Sequence, residues 1–186
     1  MAQILRGRVA IITGAGRGIG RAFALRFAEE GAKLLLPDIS LERAEGVVNE
    51  IRAKGGEAVA IETDISDEDA TKMMAEKVKT VYGKVDILIN NAAIYYGLEY
   101  KPWDTWTVEE WDRIFAVNVR GTWLCCKAIA PLMRQQSKGK IINISSSIIA
   151  CTPFGAEHVA HYACTKAAVC TLTQLLARAL GRSGIN

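Results

Sequence analysis

The stretch Thr13-Gly14-Ala15-Gly16-Arg17-Gly18-Ile19-Gly20 follows directly on the apolar run Val9–Ile12 and opens a segment with Phe23 and Phe27 at helical spacing. Glycines at a strand-to-helix junction permit a tight turn and leave no side chain between the backbone N–H groups and an approaching anion. The N-terminus of the following helix favours negative charge there. The spacing departs from GxGxxG but fits TGxxxGxG through Gly14, Gly18 and Gly20. Taken alone, such a loop is also compatible with a merely structural turn.

Short aliphatic runs alternate with longer amphipathic stretches along the rest of the chain. Strands are expected at Val9–Ile12, Lys33–Asp38, 57–63, 86–90 and 140–145, almost continuously apolar, as strands covered by helices on both faces should be. Between them Leu41, Ala44, Val47, Val48 and Ile51 recur at helical spacing, as do Ala70, Met73, Met74, Val78 and Val81. A long fourth helix carries Trp111, Ile114, Phe115, Asn118, Thr122, Cys125, Ile129 and Leu132 on one stripe, in which Asn118 is the polar member. A fifth helix is expected over 156–180, with Tyr162 and Lys166 one turn apart and so on one face. The pattern implies an α/β doubly wound parallel sheet (Rossmann fold) in one domain over 1–186. The sequence stops at Asn186, where a sixth strand is due, so the last strands and helices of such a fold are expected to be missing.

Half of the residues are hydrophobic, 23% are charged, and the formal net charge is +3. That balance gives no electrostatic reason to expect a nucleic-acid partner. No apolar run approaches a membrane span or a signal peptide, which leads to an expectation of a cytoplasmic protein without a membrane partner. The five cysteines (125, 126, 151, 164 and 170) lack CxxC spacing and read as small apolar filler rather than as zinc ligands or a disulfide framework. No metal site is expected. The two histidines, His158 and His161, are assigned to solvent or to a pocket wall.

Asp38 closes the second strand at about the distance past the glycines where a carboxylate accepts hydrogen bonds from an adenosine ribose and repels a 2′-phosphate. Arg17 argues the other way. The residue after Asp38 is the apolar Ile39, which offers no second cation, so NAD is favoured over NADP. Asp38 could instead serve as a turn or cap residue before Ser40.

The order of further motifs resembles the short-chain dehydrogenase/reductases along essentially the whole chain. They are Asp64-Ile65, Asn90-Asn91-Ala92-Ala93, Asn118 within Val-Asn-Val-Arg-Gly, Ile-Asn-Ile-Ser-Ser at 142–146, and Tyr162-Ala-Cys-Thr-Lys166. The resemblance implies that Gly14, Arg17, Gly18, Ile19, Gly20, Asp38, Asp64, Ile65, Asn91, Ala92 and Ala93 bind the dinucleotide, with Tyr162 and Lys166 at its nicotinamide end. Ala93 stands where the family carries glycine. It further implies catalysis by Tyr162 as acid/base, Lys166 as pKa tuner, Ser146 as substrate orienter and Asn118 as a proton relay through water. Chemically, a lysine charge one turn from a tyrosine favours phenolate, the base that alcohol oxidation needs. Ser147 is the alternative to Ser146; on a strand, Ser145 and Ser147 share one face and Ser146 takes the other.

The expected function is hydride transfer between NAD(H) and a secondary alcohol or ketone. The aromatic segment 94–107, with Tyr95, Tyr96, Tyr100, Trp103 and Trp106, and Phe154 suggest a cyclic or aromatic substrate, though the same side chains could cover the core or an interface. The alternatives are an NADPH-dependent ketoreductase, including one acting on 3-oxoacyl carriers, and a noncatalytic nucleotide-binding module. Family analogy implies a homo-oligomer built on the fourth and fifth long helices.

Overall fold

The computed structural model describes residues 3–151 and 155–186, with Cys151 described by its backbone alone. Five parallel strands, β1 (Val9–Ile12), β2 (Lys33–Asp38), β3 (Glu57–Glu62), β4 (Ile87–Asn90) and β5 (Lys140–Asn143), form one sheet in the order β3-β2-β1-β4-β5. The helices are α1 (Gly18–Glu29), α2 (Leu41–Ala53), α3 (Glu68–Tyr82), α4 (Val108–Phe115), α5 (Thr122–Gln135), α6 (Ile148–Cys151) and α7 (Ala160–Gly181).

Strand alternation divides the core in two. Val9 and Ile11 of β1, with Leu35 and Leu88, pack beneath Met74 and Val78 of α3 and Cys125, Ile129 and Met133 of α5. Ala10 and Ile12, with Leu34, Leu36 and Ile89, pack on the opposite face against Ala24 of α1 and Val47, Val48 and Ile51 of α2. Both faces of β1 are therefore dry, which accounts for its unbroken apolar sequence. The winding changes side at β1, with β2 and β3 on one side of it and β4 and β5 on the other, and the crevice beyond the carboxyl ends of the strands at such a point is where an open α/β sheet receives ligands.

Three local expectations are corrected. β5 is not covered on both sides: Ile142 is 44% exposed, because β5 is the outermost of the five strands. Beyond it, Ile185 bridges to Gly139 in parallel, and Asn186 exchanges hydrogen bonds with Gly139 and Ile141. Secondly, β5 ends at Asn143, so Ser145, Ser146 and Ser147 lie on the turn into α6 and a strand alternation cannot sort them. Thirdly, the long fourth helix is not uniformly α: a π turn at Ala116–Gly121 separates α4 from α5. A 3-10 turn, Ala156–Val159, likewise precedes α7.

Capping fixes where several helices begin. Ser40 accepts from the Arg43 backbone N–H at the start of α2, Asp67 from Asp69 and Ala70 at α3, and Thr107 and Glu110 form a reciprocal capping box at α4. Among the described residues, no helix is long and apolar enough to cross a membrane.

Candidate active site

The glycine loop is held by its neighbours rather than by its own side chains. The Gly14 N–H donates to the Pro37 carbonyl (2.8 Å) and the Gly16 N–H to Asp38 Oδ2 (2.8 Å), tying the loop to the end of β2. Asn91 Nδ2 donates to the carbonyls of Thr13 (3.0 Å) and Gly14 (3.2 Å), tying it also to the end of β4. Thr13 Oγ1 accepts from the backbone N–H of Asn91 and of Ala92, each at 3.1 Å. The close approach explains the glycine at position 20, where a Cβ would stand 2.2 Å from the Gly14 carbonyl oxygen. Gly18 is different: its φ of +56° requires the freedom of glycine, while the space above it is open. The start of α1 thus presents backbone N–H groups to a clear approach, the arrangement that receives a phosphate.

A cleft of about 510 Å³ runs from this loop across the carboxyl ends of the strands. Its walls gather Gly14, Arg17, Gly18, Ile19, Asp38, Asp64, Ile65, Asn91, Ala92, Ala93, Tyr162 and Lys166, so nearly all the residues singled out in the sequence meet in one place. Gly20 lies beneath the loop and supports it. Asp64 Oδ1 accepts from the backbone and hydroxyl of Ser66, at 2.9 and 2.7 Å, and shapes the turn before α3. Thr63 also lines the cleft, and its buried Oγ1 has no hydrogen-bond partner among the described residues, which leaves a polar atom for a ligand. A dinucleotide fits this set: a bare helix N-terminus at the phosphates, a carboxylate at one end, and a tyrosine and lysine at the other.

Asp38 is nearly buried, and both its oxygens are engaged. Besides Gly16, it accepts from the Ser40 N–H (3.0 Å) and from Arg43 Nη2 (3.2 Å). Arg43, on the first turn of α2, is not adjacent to Asp38 in sequence and meets it only because α2 folds back over the end of β2. Its place three residues past the Ser40 cap, reaching back to a carboxylate five residues earlier, is the available signal. Arg17 lies on the same cleft with its guanidinium carbon 5.1 Å from the centroid of the Tyr96 ring, a cation–π arrangement.

At the other end, Tyr162 and Lys166 are presented by α7, which packs across the turn following β5. Burial raises the Tyr162 pKa, and a hydrogen bond from Ser146 lowers it without cancelling that effect. Lys166 is 4% exposed, donates to the Ile144 carbonyl (2.8 Å), and has its pKa pulled down to about 8 by burial. Its ammonium lies 5.6 Å from the Tyr162 ring centroid. Ser145 donates to the Lys166 carbonyl (3.1 Å) and accepts from Cys170 (3.2 Å), and Ser146 hydrogen-bonds Tyr162.

Asn118 sits in the π turn, almost wholly buried. Its Oδ1 accepts from the Ile94 N–H (2.7 Å), and its Nδ2 donates to the Ile94 carbonyl (3.2 Å) and to Thr165 Oγ1 (3.1 Å). This clamps the segment after β4 to α7, one residue before Lys166. The aromatic segment then crosses the cleft mouth, where the Tyr95 ring lies 4.7 Å, centroid to centroid, from Tyr162. His161 belongs neither to solvent nor to the cleft wall: it is buried against Trp106 at 3.7 Å, and burial lowers its pKa. Phe154 lies outside the described residues. Cys125 and Cys126 are buried filler, as expected, but Cys164 is exposed. Among the described residues, no group of three His, Cys, Asp or Glu side chains is arranged to hold a metal ion.

A parallel sheet wound on both sides, with an anion-receiving loop at its first crossover and a tyrosine and lysine at the far end of the same cleft, defines a dinucleotide-dependent oxidoreductase of the Rossmann class. The short chain dehydrogenase family model matches residues 8–186, and the chain belongs to that family. It is 39% identical over 180 residues to the 3-oxoacyl-[acyl-carrier-protein] reductase FabG of Staphylococcus aureus, covering 95% of this chain and 70% of that protein. An NAD+-bound xylitol dehydrogenase superposes with a TM-score of 0.91 at 33% identity, covering 98% of this chain and 68% of that one. A metagenomic short-chain oxidoreductase in complex with NADP superposes with a TM-score of 0.89 at 36% identity, covering 98% and 80%.

Proposed function

We infer that this chain is the catalytic unit of a dehydrogenase that interconverts a secondary alcohol and its ketone, with NAD(H) as the preferred cofactor. The observation that carries the reading is Tyr162 and Lys166 standing on one cleft with the glycine loop, with Ser146 hydrogen-bonded to that tyrosine. Gly14, Gly18, Ile19 and the first turn of α1 would hold the pyrophosphate, Asp38 the adenosine ribose, Asp64 and Ile65 the adenine side, and Asn91, Ala92 and Ala93 the middle of the dinucleotide. The bound cofactor supplies the hydride acceptor in the oxidative direction and the donor in the reductive one.

Tyr162 Oη takes the hydroxyl proton of the alcohol or returns it to the ketone oxygen. Ser146, bonded to the same phenol, orients that oxygen. Lys166, fixed by the Ile144 carbonyl, supplies positive charge beside the phenol and a donor for the nicotinamide ribose. Asn118 holds the Ile94 backbone and Thr165 so that α7 and the cleft floor keep their spacing; a water carried by it would complete a proton path from Lys166 to solvent.

Tyr95 over Tyr162 and the neighbouring Tyr96 favour a cyclic or aromatic substrate, since flat apolar faces there reward a flat or ring-shaped partner. The likeness to a 3-oxoacyl-[acyl-carrier-protein] reductase favours a second reading, an NADPH-linked ketoreductase. Retention of Ser146, Tyr162 and Lys166 together counts against a noncatalytic nucleotide-binding module. The reading includes a cytoplasmic location and a homo-oligomer joined through α4, α5 and α7, where Trp123 and Leu175 are exposed.

The test is turnover followed at the reduced-nicotinamide absorbance band with a panel of aliphatic, cyclic and aryl secondary alcohols. Tyr162→Phe should lower kcat by about a thousandfold, within the range for a general acid/base, and still bind dinucleotide. Undiminished turnover in that variant overturns the mechanism.

A further inference from the structure

We propose that Tyr95 is a gate on Tyr162 that selects the alcohol: its ring has to swing aside before a substrate oxygen reaches the phenol, which favours substrates whose own flat face replaces the contact given up. The proposal rests on the reading of Tyr162 as the acid/base and adds the residue that sets the substrate class.

Tyr162 lines the cleft and is nevertheless only 8% exposed. Ile114 and Val159 are buried with it, and Leu98 and Ile148 pack against that group. Its ring neighbour on the cleft is Tyr95, 4.7 Å away between centroids and tilted by 45°. A general acid/base has to come within hydrogen-bond reach of the proton it moves, so a ring lying against it competes with the substrate for space.

The gate can move without disturbing its frame. On one side the Ile94 N–H donates to Asn118 Oδ1 (2.7 Å), and on the other Leu98 is packed into the group around Tyr162. Between these anchors the chain turns through Gly97, at φ +80°, and the Leu98 N–H donates to the Tyr95 carbonyl (3.2 Å). Farther on, Trp106 is held against His161 at 3.7 Å, with the Lys101 ammonium 4.4 Å from its ring centroid. The Tyr95 side chain is held more lightly: the residue is 45% exposed, and its hydroxyl meets that of the exposed Tyr100 at 3.5 Å, beyond the usual O–H···O length. Rotation about its Cα–Cβ bond uncovers Tyr162 and leaves the backbone in place.

Losing a tilted aromatic pair shifts the balance between closed and open positions by about two- to tenfold, and every alcohol meets that reduction in its apparent affinity. An aryl alcohol recovers it by laying its face on the displaced ring. A short aliphatic alcohol does not.

Two readouts test the gate. The first is acetylation of Tyr162 by N-acetylimidazole in the purified chain without dinucleotide, followed by peptide mass spectrometry with Tyr82 as the internal reference. Tyr162 should react about threefold faster or more in Tyr95→Ala and within about twofold of the parent in Tyr95→Phe, which keeps the ring, with Tyr82 unchanged in both. The second is turnover with NAD: in Tyr95→Ala the ratio of kcat/KM for α-methylbenzyl alcohol to that for isopropanol should fall about threefold or more, chiefly through a gain on isopropanol. Unchanged acetylation of Tyr162 in Tyr95→Ala, a rise shared by Tyr82, or an unchanged ratio overturns the proposal. Failure of the acid/base reading shows separately, as undiminished turnover in Tyr162→Phe. If no alcohol is oxidised by parent or variant, the enzymatic reading loses its support, and the acetylation rates still decide whether Tyr95 covers Tyr162.

Discussion

The two ends of the cleft are built on opposite terms. At the phosphate end the glycine loop is joined to β2 and β4 through Pro37, Asp38 and Asn91, and short backbone-directed hydrogen bonds leave no room for a Cβ at position 20. At the aromatic end, the Nε1 of Trp106 and the Nδ1 atoms of His158 and His161 are buried without hydrogen-bond partners among the described residues, and Tyr95, Tyr96, Tyr100 and Trp103 are exposed. The first end is complete before any ligand arrives. The second leaves aromatic surface open on the cleft at Tyr95 and Tyr96, while the unpartnered nitrogens of Trp106, His158 and His161 belong to residues off its wall.

The sharpest way to break this contrast is at the rigid end. Gly20→Ala should weaken dinucleotide binding by about a hundredfold and cost about 1–3 kcal/mol of stability, because the added methyl meets the Gly14 carbonyl and Asn91 rather than a yielding side chain. Fluorescence titration and urea denaturation would read the two effects separately; unimpaired binding would mean that the loop is looser than these distances state.

Asn118 joins the two ends, and Asn118→Ala should cost about 1–3 kcal/mol by orphaning the Ile94 N–H and carbonyl. Chemical denaturation gives the loss directly. A change below about 0.5 kcal/mol would show that solvent replaces the clamp at no penalty.

Lys166 supplies a pH-dependent comparison. Its folded-state pKa is depressed from 10.5 to about 8, so below pH 8 the fold bears the cost of a buried ammonium, and between pH 8 and 10.5 the unfolded chain binds the additional proton. By linkage, this group makes stability rise with pH across that window. Lys166→Met should therefore be more stable than the parent at pH 7, by roughly 1–3 kcal/mol, with the gap closing toward pH 10.5. Cys126, raised to about 12, and Tyr82, raised to about 12, act with the opposite sign at alkaline pH, but equally in both proteins. A gap that widens with pH would contradict the assignment.

The smallest effect belongs to the aromatic end. His161→Phe keeps the ring packed on Trp106 and removes a buried nitrogen without a hydrogen-bond partner, so its stability should stay within about 1 kcal/mol of the parent or rise. A larger loss, seen by thermal melting, would reveal a partner for that nitrogen.

The five strands and the glycine loop were legible because apolar alternation and glycine spacing are local properties. Asp38, Tyr162 and Lys166 were legible for a related reason: each lies at the end of an element or one helical turn from its companion. Arg43 was not, since its role depends on how α2 folds back over the end of β2. Nor was the burial of His161, which depends on Trp106, a residue from a separate segment. The serine assignment failed as a strand argument because β5 ends two residues too early, and it was the coupling to Tyr162, set by the packing of α7, that distinguished Ser146 from Ser145.

The π turn at Ala116–Gly121 acts as a swivel in what the sequence presents as a single stripe. Accommodating one more residue per turn makes the following helix lag by roughly 100° about its axis, one residue's worth of rotation. Ile114, before the turn, accordingly packs with Val159 and Tyr162, whereas Cys125, Ile129 and Met133, after it, pack on the sheet. One length of helix thus serves two masters, bracing Tyr162 with its first half and roofing the sheet with its second, and the bearing of each half depends on where the widened turn falls.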